Sequence, residues 1–222
     1  MLTSSAVEDY AKAIYALEQR FQRPVSTNAL ARRLHVTAAS ASGMVKRLDE
    51  LGLVLHVPYH GVQLTDAGRR VALETLRHHR LLELYLAETL DVPWDRVHAE
   101  AEVLEHVLSE ELEALIAAKL GNPTRDPHGD PIPTADLRVE ETPTCSLAEL
   151  EPAARGTFVR VSDSDPDMLR YLADRGIAPG ATLEVVDRQP FDGPTFARFA
   201  GSPEVHVLGG GLARAMRVER ER

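Results

Sequence analysis

One cysteine in 222 residues is the first scarcity in this sequence. Cys145 has no intrachain partner, so no disulfide holds the fold together, and the composition suits a reducing compartment. It lies in a Pro-rich stretch, where an incidental surface thiol is expected. Long apolar runs are also missing: none reaches the roughly 20 residues needed to span a bilayer. The opening MLTSSAVEDYAK lacks a basic segment followed by an apolar one. A soluble, cytoplasmic protein with no membrane partner is therefore expected. Gly209-Gly210-Gly211 is not followed by Lys-Ser/Thr, which argues against a phosphate loop and leaves a turn as the expectation. Positive charge is scarce overall, with a net charge of −9 that taken alone argues against a nucleic-acid partner.

The charge is unevenly spread. Residues 1–64 hold 7 Lys+Arg against 5 Asp+Glu, residues 65–120 hold 6 against 12, and residues 121–222 hold 12 against 17. The first segment is the only basic one, and DNA affinity depends on local cations rather than on the total. At 222 residues and 44% apolar content the chain can bury more than one core. Four segments are expected: 1–64, 65–121, a Pro-rich tether over 122–152, and 153–222.

In the first segment Ser5 and Glu8 read as a capping box, and Val7, Tyr10, Ile14 and Leu17 repeat at helical spacing, predicting a helix over about 5–20. Ser26 caps a second helix through Leu34, His35-Val36 turns the chain, and Thr37 caps a third with the stripe Ala41, Val45, Leu48 and Leu51. Gly52 ends it. LVLHV and VQLT around the turn PYHG then read as a β-hairpin. Three helices and a hairpin make a winged helix-turn-helix, whose third helix enters the major groove. The residues placed to meet DNA are Thr37, Ser40, Ser42, Lys46 and Arg47, beside Gly43, with Arg32 and Arg33 on the preceding helix.

Thr65 caps a long helix to about Leu90, Pro93 opens another, and Ser109 caps a third that ends at Gly121. His98, Glu102, Glu105 and His106 fall within an arc of about 100° on a helix of 3.6 residues per turn. The apolar stripe Val97, Ala101, Leu104 and Leu108 lies apart from them as the expected core seam. His79 and Glu83 stand one turn apart some twenty residues earlier. Imidazole and carboxylate together suit Mn, Fe, Zn, Co or Ni, and the lack of thiolate argues against a structural zinc site. Leu81, Leu82, Leu84, Tyr85 and Leu86 are apolar almost all round, so part of that segment is expected to meet a second subunit, giving a symmetric dimer and a palindromic DNA site. Beyond 152, strands are expected near 157–161, 181–187, 195–199, 204–208 and 215–218, with one helix between Asp165-Pro166 and Gly176. The fold class is thus mainly α with a small SH3-like β domain.

Taken together, VEDYAKAIYALE, TAASASGMVKRLDELGLV, HHRLLELYL, VHAEAEVLEHVLSEELE and DPHGDPIP resemble the metal-dependent repressors of the diphtheria-toxin-repressor family, including its manganese-sensing branch. MLRYLADRGIAPGATLEVV and GGGLARAMRV resemble the SH3-like FeoA-type domain that many members carry. The resemblance implies a primary metal site of Asp9, Glu102, Glu105 and His106 and an ancillary site of His79, Glu83 and His98. The iron-responsive branch has Cys in place of Glu102 and Met in place of Asp9, so two carboxylates here imply Mn(II), with Fe(II) as the alternative. Lys12 stands where the manganese branch has a further carboxylate, and Gly43 where some members have a base-contacting Gln. The family's further Glu and Gln ligands have no clear counterpart, leaving Asp163 or Asp165 as substitutes. A homodimeric, metal-dependent repressor of manganese or iron uptake genes is expected. A metal-independent winged-helix regulator, an activator of efflux genes and a metal-dependent hydrolase are the alternatives. The hydrolase lacks a recognisable nucleophile, so no enzyme is expected.

Overall fold

A computed structural model describes residues 4–57, 61–163 and 165–221. The chain forms two compact units: the first takes in residues up to His79 with Glu102–Glu113 and Pro133–Arg138, the second Arg80–Ala101, Ala114–Ile132 and the remainder from Val139.

The first unit begins with α1 (Ser5–Phe21), α2 (Thr27–Arg33) and α3 (Ala38–Glu50), followed by β1 (Val54–Val57) paired antiparallel with β2 (Gly61–Leu64). The caps are local chemistry. Ser26 Oγ accepts from the Ala29 amide and Thr37 Oγ1 from the Ser40 amide, each satisfying a donor that the first helical turn leaves unpaired. The expected capping box at Ser5 is not formed: Ser4 is the N-cap, without a side-chain bond, and Glu8 is engaged elsewhere. Val7, Tyr10, Ile14 and Leu17 of α1 pack with Leu30, Ala41, Val45, Leu48, Val54 and Val62 in one core. Burying each large aliphatic side chain stabilises this domain by roughly 1.5–3 kcal/mol. Leu51 departs from the expected stripe; it is 48% exposed, because the helix stops there and Gly52 turns away at φ 70°. Of the expected hairpin turn, residues 58–60 lie outside the described residues.

Helix α4 (Asp66–Leu90) starts at Thr65, whose Oγ1 accepts from the Gly68 amide, and contributes to both units. Helices α5 (Val97–Leu104) and α6 (Glu110–Lys119) follow. Two apolar expectations are corrected. Leu81, Leu82, Leu84 and Leu86 are buried within the chain, and the exposed apolar residues are instead Val103, Leu104, Val107 and Leu112, with Leu115 and Leu90. The seam is also shorter than expected: Val97 and Ala101 are buried, but Leu104 ends α5 and is exposed. No helix among the described residues is long and apolar enough to cross a membrane.

In the second unit β3 (Cys145–Ser146), β4 (Arg155–Val161), β5 (Thr182–Arg188), β6 (Thr195–Phe199), β7 (Val205–Leu208) and β8 (Met216–Arg220) form one antiparallel sheet in the order β3-β8-β4-β5-β6-β7. With α7 (Pro166–Ala173) and α8 (Gly210–Ala215) it encloses Phe158, Val161, Leu169, Leu172, Val185, Leu208 and Met216. The glycine triplet is not a plain turn: Gly209 caps α8, and at Gly210 a Cβ would meet the Asp192 carbonyl, so glycine there permits a close backbone approach. Much of the expected tether is built structure. Asp126, His128 and Ile132 are buried, and Leu147 and Leu150 belong to the β-domain core.

Candidate metal centres and nucleic-acid interface

In the first unit, side chains from three distant parts of the sequence converge on Glu105, which is 1% exposed. Asp9 enters from α1, where it lies outside the buried stripe, and His79 from α4. Glu102 is on the last turn of α5, whereas Glu105 and His106 follow its end at Leu104. The uniform helix expected over 98–106 is therefore broken, and the turn carries the last two ligand candidates into the centre. His106 Nε2 lies 3.0 Å from Asp9 Oδ1 and 3.5 Å from Glu105 Oε1. His79 Nδ1 lies 2.5 Å from Glu105 Oε2 and 3.8 Å from Glu102 Oε1. Ligand atoms of Asp9, Glu105 and His106 lie within 4.8 Å of one another, as do those of His79, Glu102 and Glu105.

Two neighbours complete this centre, and neither was among the expected ligands. Glu8 Oε2 lies 2.6 Å from His106 Nδ1, so one carboxylate orients the ring while its other nitrogen faces Asp9, the arrangement that sets tautomer and basicity at metal sites. Lys12 Nζ lies 2.7 Å from Glu102 Oε1 and 2.5 Å from Glu105 Oε1. Burial raises the pKa of Asp9, against the pull of His106 and Lys12 and reinforced by Glu105 and Glu102. Burial works to lower that of Lys12, but the two glutamates overcome it and raise the ammonium above its ordinary value. With neutral imidazoles, the carboxylates of Glu8, Asp9, Glu102 and Glu105 against one ammonium leave an excess of negative charge that a divalent cation reduces. The donor atoms are oxygen and imidazole nitrogen, so the residues present fit such an ion. Behind them, Arg77 binds Glu113 at 2.7 Å and donates to the Pro133 carbonyl, and His78 Nδ1 lies 3.1 Å from the Glu105 carbonyl, fixing the backbone at Glu105.

A second cluster lies in the second unit. His98 Nδ1 is 3.2 Å from Glu83 Oε1 and 3.1 Å from Asp163 Oδ2. Of the two aspartates expected as substitutes, Asp163 joins the cluster, and Asp165 instead caps α7 by accepting from the Asp167 and Met168 amides. Hydrogen bonds to Asp163 and Glu83 raise His98 to about 10. Burial works to raise Asp163, but bonding to His98 holds it below the usual carboxylate value.

Glu83 also meets Asp126 and His128, a fully buried trio that the sequence reading missed. The signal is the segment Asp-Pro-His-Gly-Asp-Pro, whose prolines predict a tether. Asp126 accepts from the amides of His128 and Asp130, each at 2.9 Å, and so folds the loop over its own carboxylate. His128 Nε2 lies 2.7 Å from the Trp94 carbonyl, and the two rings stack. His128 Nδ1 is buried with no hydrogen-bond partner among the described residues, facing Glu83 Oε2 at 3.8 Å. A buried ring nitrogen left so, beside two carboxylates, is costly as it stands and suits an ion between them. Burial and the Asp130 and Glu83 charges push Asp126 well above its usual value. His79, expected beside Glu83 and His98, stands one turn before Glu83 on α4.

Of the residues expected to meet DNA, Arg32, Arg33, Thr37, Ser40, Ser42, Lys46 and Arg47, with Gly43 beside them, are all exposed. Ser42 Oγ donates to the Ala38 carbonyl and Thr37 shares a hydrogen bond with Ser40, so the small side chains are held against α3 and leave its surface low. Lys46 makes a loose pair with Glu50, at 3.8 Å.

Residues 1–62 match the family described as iron dependent repressor, N-terminal DNA binding domain; residues 65–134 match iron dependent repressor, metal binding and dimerisation domain; residues 145–220 match the FeoA domain. The chain is 33% identical over 225 residues to the iron-dependent repressor IdeR of Mycobacterium tuberculosis, covering 96% of each chain. To the diphtheria toxin repressor of Corynebacterium diphtheriae it is 31% identical over 192 residues, covering 82% of this chain and 84% of that protein. A solved manganese-dependent transcriptional repressor in complex with manganese is 44% identical and superposes with a TM-score of 0.90, covering 97% of this chain and 100% of that one.

Proposed function

Because the chain belongs to the iron- and manganese-dependent transcriptional repressor family of the diphtheria toxin repressor, we propose that it is a Mn(II)-responsive homodimeric repressor, with Fe(II) the competing effector, acting in the cytoplasm on a palindromic operator of manganese or iron uptake genes. The observation that carries this reading is the convergence of Asp9 with Glu102, Glu105 and His106, because it joins the first helix of the DNA-binding domain to residues more than ninety positions later. An ion held there supplies positive charge to a centre in which the carboxylates outnumber the single ammonium. Asp9 rides on α1, and α1 shares its core with α2 and α3 through Ile14, Leu30 and Leu48. Fixing Asp9 therefore fixes α3, which presents Ser40, Ser42, Lys46 and Arg47. A preference of about 1–3 kcal/mol for the DNA-competent arrangement suffices to change occupancy 5- to 150-fold, and DNA then tightens the ion by the same factor.

Glu83, His98, Asp126, His128 and Asp163 form the second centre, with His79 one turn before Glu83. Carboxylate at positions 9 and 102 supports Mn(II) over softer ions. The domain boundaries that go with this reading are 1–64 for DNA binding, 65–121 for metal binding and dimerisation, and 153–222 for the FeoA-type domain. The test is selection of bound sequences from a random duplex pool at fixed salt, with chelator, Mn(II), Fe(II) and Zn(II) in parallel. A palindrome recovered only with Mn(II) or Fe(II) is expected. Equal recovery with chelator would overturn the proposal.

A further inference from the structure

Lys12 holds the place of a cation in the first centre. Its stem is largely buried, with the side chain 15% exposed, and its ammonium takes the Oε1 atoms of both Glu102 and Glu105. The other oxygen of Glu105 faces His79, and Glu105 Oε1 is at the same time 3.5 Å from His106. Glu102 and Glu105 are thus bridged by a positive charge carried on the chain itself. A divalent ion bridging the same two oxygens would need to lie about 2.0–2.6 Å from each, in the volume the ammonium fills. An ion placed instead on the Asp9 and His106 side still meets a fixed positive charge across Glu105. Asp9, three residues before Lys12 on α1, has its Oδ1 turned to His106 Nε2 at 3.0 Å.

We propose that Lys12 is a tethered cation that fills a second-ion position in this centre, restricting it to one divalent ion and weakening that ion's hold by competing for Glu102 and Glu105. The inference rests on the reading that Asp9, Glu102, Glu105 and His106 bind a metal. It makes Lys12 a determinant of metal number and affinity, through charge rather than through contact with DNA.

The experiment is equilibrium dialysis of the full chain against Mn(II), with protein-bound metal counted and affinities read by competition with a chromophoric chelator. Wild type, Asp9→Ala, Lys12→Met, Lys12→Glu and Lys12→Arg are compared. Lys12→Met is expected to bind Mn(II) at this centre about tenfold more tightly, equivalent to about 1.4 kcal/mol. Lys12→Glu is expected to bind one ion more than wild type, and its electron paramagnetic resonance spectrum to show two coupled Mn(II) ions. Lys12→Arg keeps the charge and is expected to match wild type in metal number. Should Met leave the apo chain poorly folded, Arg against Glu still tests charge, with folding followed by circular dichroism. Equal metal number and affinity in wild type, Met and Glu variants overturns the inference while leaving the centre intact, provided Asp9→Ala loses an ion. If Asp9→Ala loses none, the reading of the centre itself falls, and the inference with it.

Discussion

At the scale of single residues, the two centres differ in how a proton opposes the metal. His98, at about 10, is protonated at neutral pH while it pairs with Asp163 and Glu83. Its pKa is raised on folding, so the stability it contributes is complete below the ordinary histidine value of about 6.5 and is lost as pH rises through the folded value. Metal binding runs the opposite way, since an ion takes the neutral ring and must release the proton. His128 in the same centre is also raised, to about 9, burial working to lower it and the Glu83 carboxylate overcoming that effect. Mn(II) affinity there is therefore expected to rise by up to about a hundredfold per pH unit between about pH 7 and 9, with up to two protons leaving per ion. Calorimetry in buffers of different ionisation enthalpy counts those protons directly; a pH-independent affinity would remove both histidines from the ligand set. The sequence displayed most of these residues. Asp9, Glu102, Glu105, His106, Glu83 and His98 are all chemically conspicuous, and a family resemblance ordered them into sites. Glu8 was invisible as a partner of His106 because 98 positions separate them, and no local pattern reports a contact made only by tertiary folding.

At the scale of elements, periodicity located what it physically controls. The helix expected from Thr65 to about Leu90 runs Asp66–Leu90, and five strands of the β domain fall within two residues of expectation, because capping residues, glycine and proline act on the chain locally. Periodicity cannot register where a helix stops for tertiary reasons, which is why Glu105 and His106 emerge from a turn rather than from the face of a helix. The loop 126–130 failed for a related cause: proline content reads as tether, while its order comes from Asp126 accepting two amides and from close packing at Gly129. Gly129 has φ 88°, and a Cβ there would run into the Val159 carbonyl. Gly129→Ala is accordingly expected to cost about 1–3 kcal/mol, from strain in a backbone region that L side chains rarely adopt. It should also displace His128 and so lower the number of Mn(II) ions bound by one, with Asp9-centred binding retained. Chemical denaturation and metal counting on the same preparation check both parts; a variant with wild-type stability and metal number would show that the loop does not hold the second centre.

For the molecule as a whole, the unresolved demand is the apolar surface of the metal-binding segment. Val103 and Val107 are 71% and 78% exposed in the single chain, with Leu112 nearby in sequence at 48%. Isolated exposed aliphatic residues need no explanation, but three such residues close in sequence to the proposed ligands Glu102, Glu105 and His106 lie in the segment that matches the metal binding and dimerisation domain. A two-fold dimer would bury each residue against the same surface of its copy and present two α3 helices to one palindrome. It would also let both candidate metal centres bear on a single DNA-binding event, since α1, which carries Asp9, shares its core with α3. The excess positive charge of residues 1–64 would then act twice over on one duplex. Val107→Glu places a charge at the most exposed of these positions without touching a ligand or the core. The expected result is a monomer by analytical ultracentrifugation, Mn(II) bound at the Asp9 centre with wild-type affinity, and operator affinity reduced at least 100-fold at fixed salt, about 2.7 kcal/mol of lost coupling between half-sites. A variant that stays dimeric would move the interface elsewhere, and a monomer that still bound the full operator tightly would mean that the two recognition helices do not act together.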